Sequence, residues 1–74
     1  MQFDYSKLLG RIKEYGFTQE SLALAIGMSV STLSFKLNSK AFFTQKEIIK
    51  ICDLLGIVFT EIGIYFFKQK VQKV

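Results

Sequence analysis

Seventy-four residues allow one domain and leave no room for a second. Half of them are hydrophobic and 15% are aromatic, and ten Lys or Arg against six Asp or Glu give a formal charge of +4. A chain this short buries only about 60% of the surface it exposes when unfolded, and its single Cys cannot form an internal disulfide, so it needs a dense core or a partner.

Several functions fall on composition. With no His and one Cys, a zinc site of His and Cys ligands cannot be built within one chain. The same lack removes Ser-His and Cys-His nucleophile pairs and the commonest general base, so no enzyme is expected and no cofactor or metal is called for. The chain is too apolar for disorder. Its longest apolar stretches, 57–59 and 62–67, are interrupted by Thr60 and Glu61, far short of the roughly twenty residues of a membrane-spanning helix. Met1 to Tyr5 carry Asp4 and no basic segment before an apolar run, so no secretory signal is expected. The expectation is a soluble cytoplasmic protein in which Cys52 is a reduced thiol. The charge is unevenly placed: Lys68, Lys70 and Lys73 supply +3, and residues 1–67 only +1. Residues 68–74 therefore read as a basic tail on a domain spanning 1–67.

Five segments show helical spacing. The first runs from about Tyr5 to Tyr15, with Asp4 as its N-cap and a stripe of Tyr5, Leu8, Leu9, Ile12 and Tyr15. Gly16 ends it, and Gly10 inside it suggests a close packing contact. The second runs from Gln19 to Ile26, capped by Thr18 and stopped by Gly27, with Leu22, Ala25 and Ile26 inward and Ala23 beside them. The third follows Ser29 as cap and reaches about Asn38, with Leu33 and Leu37 as its apolar pair. The fourth starts at Thr44-Gln45-Lys46-Glu47, a capping-box pattern, and buries Ile48, Ile51, Cys52 and Leu55 before Gly56. The fifth begins near Thr60. The end of the chain, 67–74, fits helix end, strand or disorder. Five short helices on short connections make an all-α, compact five-helix domain.

The informative stretch is Phe17 to Lys40. It reads as helix, tight turn at Gly27-Met28-Ser29, then helix, with small Ala23 where the second helix presses closest. Gly16-Phe17-Thr18-Gln19-Glu20, Leu22-Ala23, Ile26-Gly27-Met28-Ser29, Thr32-Leu33-Ser34 and Leu37-Asn38-Ser39-Lys40 resemble the helix-turn-helix of the phage repressor and Cro family, also called the xenobiotic-response-element type. The resemblance covers about residues 5–62, and Tyr65-Phe66-Phe67 points to a small phage-borne Cro subgroup. It implies a lambda-repressor-like DNA-binding domain with its helix-turn-helix at about 18–38.

The resemblance also implies roles. Val30, Ser31, Ser34 and Phe35 would read bases in the major groove, with Ser29 and Thr32 beside them. Gln19, Lys36, Asn38, Ser39 and Lys40 would meet phosphate. The reading set lacks Arg and Gln, so modest specificity with a bias to thymine methyl groups is implied. The sequence departs from the family pattern at Lys36, where an apolar residue is usual, at Leu37, where a polar one is usual, and at Ser39, where Gly is usual. The implied function is a Cro-type repressor acting by operator occupancy, with double-stranded operator DNA as partner and no small-molecule ligand or membrane.

The C-terminal aromatics carry a second expectation. Phe59, Ile62, Tyr65, Phe66 and Phe67 exceed what one short helix buries against a small core, so an exposed patch and a homodimer through it are expected, with Val71 to Val74 as a possible extension. Folding of Phe66 and Phe67 back over the helices is the bland reading of the same residues. The rival function is a protein-interaction module, an anti-repressor or adaptor that works through this aromatic region.

Overall fold

The structure is a computed structural model, and it describes residues 2–70. Five α-helices follow one another: α1 Ser6–Glu14, α2 Gln19–Ile26, α3 Val30–Leu37, α4 Gln45–Leu55 and α5 Ile62–Phe66, the last preceded by a 3₁₀ turn over Phe59–Glu61. Among the described residues there is no strand, only an isolated antiparallel bridge between Phe3 and Gln69. The all-α, five-helix expectation holds. No helix among the described residues is long and apolar enough to cross a membrane.

The helix starts follow from side chains that satisfy orphan amides. Thr18 Oγ1 accepts from the Ser21 amide at 3.1 Å, and Ser21 Oγ accepts from the Thr18 amide at 2.9 Å, a closed capping box at α2. Ser29 Oγ accepts from the Thr32 amide at 3.1 Å at the head of α3. At α4, Thr44 Oγ1 accepts from the Glu47 amide and Glu47 Oε1 accepts from the Thr44 amide, as the sequence pattern predicts. Helix α1 differs from expectation. Its cap residue is Tyr5, with no side-chain bond, while the Asp4 carboxylate accepts from the Ser6 amide at 2.9 Å and from the Ser6 hydroxyl just outside the helix. Those two bonds, and behind them Lys68, hold the Asp4 carboxyl below its ordinary pKa.

The helix ends share one device. Residues 16, 27, 39 and 56 take left-handed φ, three as glycine and one as Ser39 at φ 61. Gly56 is additionally confined, because a Cβ there would lie 2.6 Å from the Tyr15 hydroxyl. Arg11 completes that end of α4: its Nε donates to the Leu55 carbonyl at 2.9 Å and its Nη2 to the Gly56 carbonyl at 3.0 Å.

The core gathers Tyr5, Leu8 and Ile12 of the first segment, Leu22, Ala23 and Ile26 of α2, and Leu33 and Leu37 of α3. Ile48, Ile51, Cys52 and Leu55 of α4, then Ile57, Tyr65 and Phe66, close it. In α2 it is Ala23 that is buried and Ala25 that is exposed, because the close approach of α3 turns the helix toward its small residue. Burial, then Asp53, pushes the Cys52 thiol up, which leaves it protonated and inert at neutral pH. The close contact expected at Gly10 is absent, since nothing lies within 4 Å of a Cβ built there.

Lys36 and Glu47 fasten α3 to α4. Lys36 Nζ donates to both carboxylate oxygens, at 2.6 and 2.8 Å, with the lysine side chain only 12% exposed. Partial burial pushes Glu47 up, but the bonds from Lys36 and the Thr44 amide outweigh it and hold the carboxyl below its ordinary value. Its stabilising contribution is therefore complete above about pH 4.5 and is lost as the pH falls through the lowered folded-state pKa.

Two substitutions check these local assignments. Gly10→Ala, with space for its methyl group and a helical backbone, is expected to stabilise the fold by about 0.5–1 kcal/mol in thermal or urea unfolding. Glu47→Gln keeps a capping acceptor but discharges the pair, and should cost about 1 kcal/mol at neutral pH. The gap between the two proteins should then shrink as the medium is acidified below pH 4.5.

Candidate functional site

Two exposed surfaces carry more apolar side chain than a solvated helix face needs. The first lies on α2 and α3. Gly27, at φ 74, turns the chain between them, and its amide and that of Met28 close the end of α2 on Leu24 and Ala23 carbonyls. Leu33 and Leu37 hold α3 down, so Val30, Ser31, Thr32 and Phe35 face solvent. Leu24 of α2 is 83% exposed, and a shallow hollow of about 520 Å³ runs from it past Thr18, Glu20, Ser21, Ala23 and Met28 to Val30.

The polar residues expected on this surface are mostly engaged with the protein itself. Ser29 is the α3 cap, and its hydroxyl also donates to Thr32 Oγ1 at 2.8 Å. Asn38 Nδ2 donates to the Ser34 carbonyl at 2.8 Å. Lys36, expected at phosphate, is taken up by Glu47. Ser39 turns inward, where its Oγ donates to the Phe3 carbonyl at 2.8 Å and accepts from the Phe3 amide at 3.1 Å. Lys40 lies over the Phe35 ring at 6.0 Å. Gln19 is half-buried at the start of α2, in a groove with Leu9, Gly10, Ile12, Lys13 and Phe17. The helix-turn-helix geometry is present, but the face it offers is apolar and hydroxylic, and Lys40 leans on an aromatic ring.

The second surface is C-terminal. Of the five residues expected in an exposed patch, two are core: Tyr65 is 6% exposed and Phe66 only 1%. Phe66 packs edge-on against Phe43, 5.5 Å between centroids, and Phe43 packs the same way against Tyr5. The loop between α3 and α4 thus brings an aromatic partner for Phe66, which one-dimensional spacing does not reveal. Phe59, 85% exposed, remains on the surface with Phe67 and half-buried Ile62. Together with Ile49, Gln45, Ile48 and Gly63 they line a cavity of about 470 Å³. Ile49 and Phe42, both exposed, were not singled out from sequence. Val71 to Val74 lie outside the described residues. Among the described residues no three His, Cys, Asp or Glu side chains come together to hold a metal ion.

The fold and these surfaces define a small helical protein with a helix-turn-helix core and apolar, rather than cationic, exposed faces. The chain belongs to the family described as protein of unknown function DUF739, whose model matches residues 1–69. It is similar to the solution structure of the modulator of repression (MOR) of the temperate bacteriophage TP901-1 from Lactococcus lactis. That likeness has 43% sequence identity, covers 97% of each chain and has a TM-score of 0.78. No curated protein matches the chain.

These findings correct the sequence reading. The family is DUF739, not the phage repressor and Cro family, although the helix-turn-helix residues resemble the latter. The Cro-type repressor function and the operator DNA partner were carried by that resemblance and fall with it. The homodimer rested instead on the C-terminal aromatics, of which the core takes up Tyr65 and Phe66. Lys36 and Ser39, both departures from the family pattern, are engaged in internal bonds, to Glu47 and to the Phe3 backbone.

The division of the C-terminal aromatics can be measured. Phe66→Ala should cost about 3–5 kcal/mol in chemical unfolding, as for a fully buried aromatic, whereas Phe59→Ser should fall within about 0.5 kcal/mol of the parent. Equal costs would contradict the assignment of one to the core and the other to the surface.

Proposed function

We propose that this protein modulates repression by binding a phage repressor protein, acting in the host cytoplasm as an interaction module rather than as a reader of DNA. The observation that carries the reading is the likeness to a modulator of repression at 43% identity over 97% of both chains. At that identity and coverage the two chains share a fold.

The exposed faces support the same reading. A modulator of a repressor has to recognise protein, and protein recognition rests on a few large apolar anchors set in a hollow. Phe59, Phe67 and Ile49 around the 470 Å³ cavity are such anchors, with Ile62 at its base. This is the aromatic C-terminal region, less Tyr65 and Phe66, which the core retains. The other exposed set, Leu24, Val30 and Phe35, is likewise apolar and offers little to phosphate.

Binding of the purified protein to the repressor of its own phage, measured by calorimetry, tests the proposal. Micromolar or tighter affinity is expected, with weak dependence on salt, because an apolar contact releases few counterions. Phe59→Asp should weaken binding at least tenfold, about 1.4 kcal/mol, while leaving the helical circular dichroism unchanged. No heat of binding at high micromolar concentration would sink the function. Loss of binding in Phe35→Asp but not in Phe59→Asp would instead move the contact to the α2–α3 face.

A further inference from the structure

We propose that Ser39 is the latch of a clasp that joins the two ends of the described chain and thereby sets one wall of its exposed aromatic face. Three elements meet at this residue. Ser39 follows α3 in the left-handed conformation; the Lys40 amide donates to the Phe35 carbonyl and the Ser39 amide to the Lys36 carbonyl, the hydrogen-bond pattern of a glycine-type helix ending. A serine there accepts backbone strain that glycine would not feel. In return its hydroxyl makes two bonds to the backbone of Phe3, thirty-six residues away.

Phe3 is in turn the bridge residue to Gln69. On either side of it the Asp4 amide donates to the Lys68 carbonyl at 2.6 Å, and the Lys70 amide donates to the Gln2 carbonyl at 3.1 Å. Asp4 and Lys68 add an exposed ion pair at 4.0 Å. A two-stranded contact of this length has little stability of its own in water. The hydroxyl of Ser39 ties it to the rigid end of α3, so the clasp is held from the side rather than along its length.

The clasp has a consequence for the surface. With Phe3 fixed, its ring packs edge-on against Phe67 at 5.9 Å and Phe42 at 6.1 Å, over an apolar cavity of about 210 Å³. Phe67 and Ile48 line both this cavity and the one beside Phe59. Releasing Phe3 takes away the neighbour that orients Phe67, so the face and the clasp form together. A partner that docks on the face stabilises the clasp by the same free energy that the clasp lends to docking. This last step rests on the proposed repressor contact.

Ser39→Gly is the discriminating variant, since it keeps the left-handed backbone without strain and removes the CH2OH side chain that makes both bonds to Phe3. Hydrogen exchange at the Asp4 and Lys70 amides is expected to quicken more than tenfold, and the nuclear Overhauser contact between the Phe3 and Phe67 rings to weaken. Amides within α2 and α4 should keep their rates, which separates release of the clasp from general unfolding. Unchanged exchange at Asp4 and Lys70 would overturn the proposal. Repressor affinity should fall about tenfold in the same variant, and an open clasp with undiminished affinity would overturn the coupling. Failure of the parent protein to bind any repressor would overturn the coupling together with the proposed function, while the exchange measurement still decides the clasp.

Discussion

The edge-to-face contact between Phe43 and Phe66 joins the loop after α3 to the last helix, and the closure of the small core depends on it. Phe43 carries the contact on to Tyr5 at the head of α1, so three distant parts of the chain meet on one aromatic column. Such pairs add about 0.5–1.5 kcal/mol each beyond the area they bury. In a chain without a disulfide that is a substantial share of what the fold has available. The column also bears on the economy of α5: of its five residues, Phe66 is received by the Phe43 ring and Tyr65 is buried as well.

Around that column the polar side chains work at the joints. Glu47 closes the capping box of α4 and at the same time holds Lys36 of α3, so a single carboxylate starts one helix and sets the position of another. Arg11 does the corresponding work at the other end of α4 through the Leu55 and Gly56 carbonyls. Ser39 serves α3 and the N-terminal segment together. Each of these residues is a charged or hydroxyl group that would be available for binding in a chain with more core and less need of fastening. Their internal use withdraws these groups from the surface, where Leu24, Phe35, Phe59 and Phe67 stand exposed.

That distribution bears on how a helix-turn-helix shape is put to use. The two-helix geometry depends on left-handed Gly27 and on the buried Ala23, Leu33 and Leu37. The same scaffold therefore carries either a cationic reading face or an apolar docking face, according to the few residues that point outward. Here Lys36 is withdrawn into an ion pair and Lys40 lies over Phe35, and the chain is similar to a modulator of repression. A motif match dominated by such scaffold residues therefore resembles the phage repressor and Cro family, while the family is DUF739.

By itself the sequence determined the five helices, because their signals are local: the Thr44 to Glu47 capping box, Thr18 and Ser29 at helix starts, and left-handed Gly16, Gly27 and Gly56 at helix ends. It also determined most of the core, since Leu22, Ile26, Leu33, Leu37 and the α4 stripe recur at helical spacing. What only the tertiary structure decided were the contacts between segments far apart in the chain. Spacing could not say that Phe43 would receive Phe66, that Glu47 would claim Lys36, or that Ser39 would turn inward to Phe3. Periodicity reports which face of a helix avoids water, and that is a property of the helix alone. Whether a lysine, a serine or a phenylalanine on its edge is free or taken depends on what another segment places beside it, and in this protein that second segment turned a reading face into a fastened, apolar one.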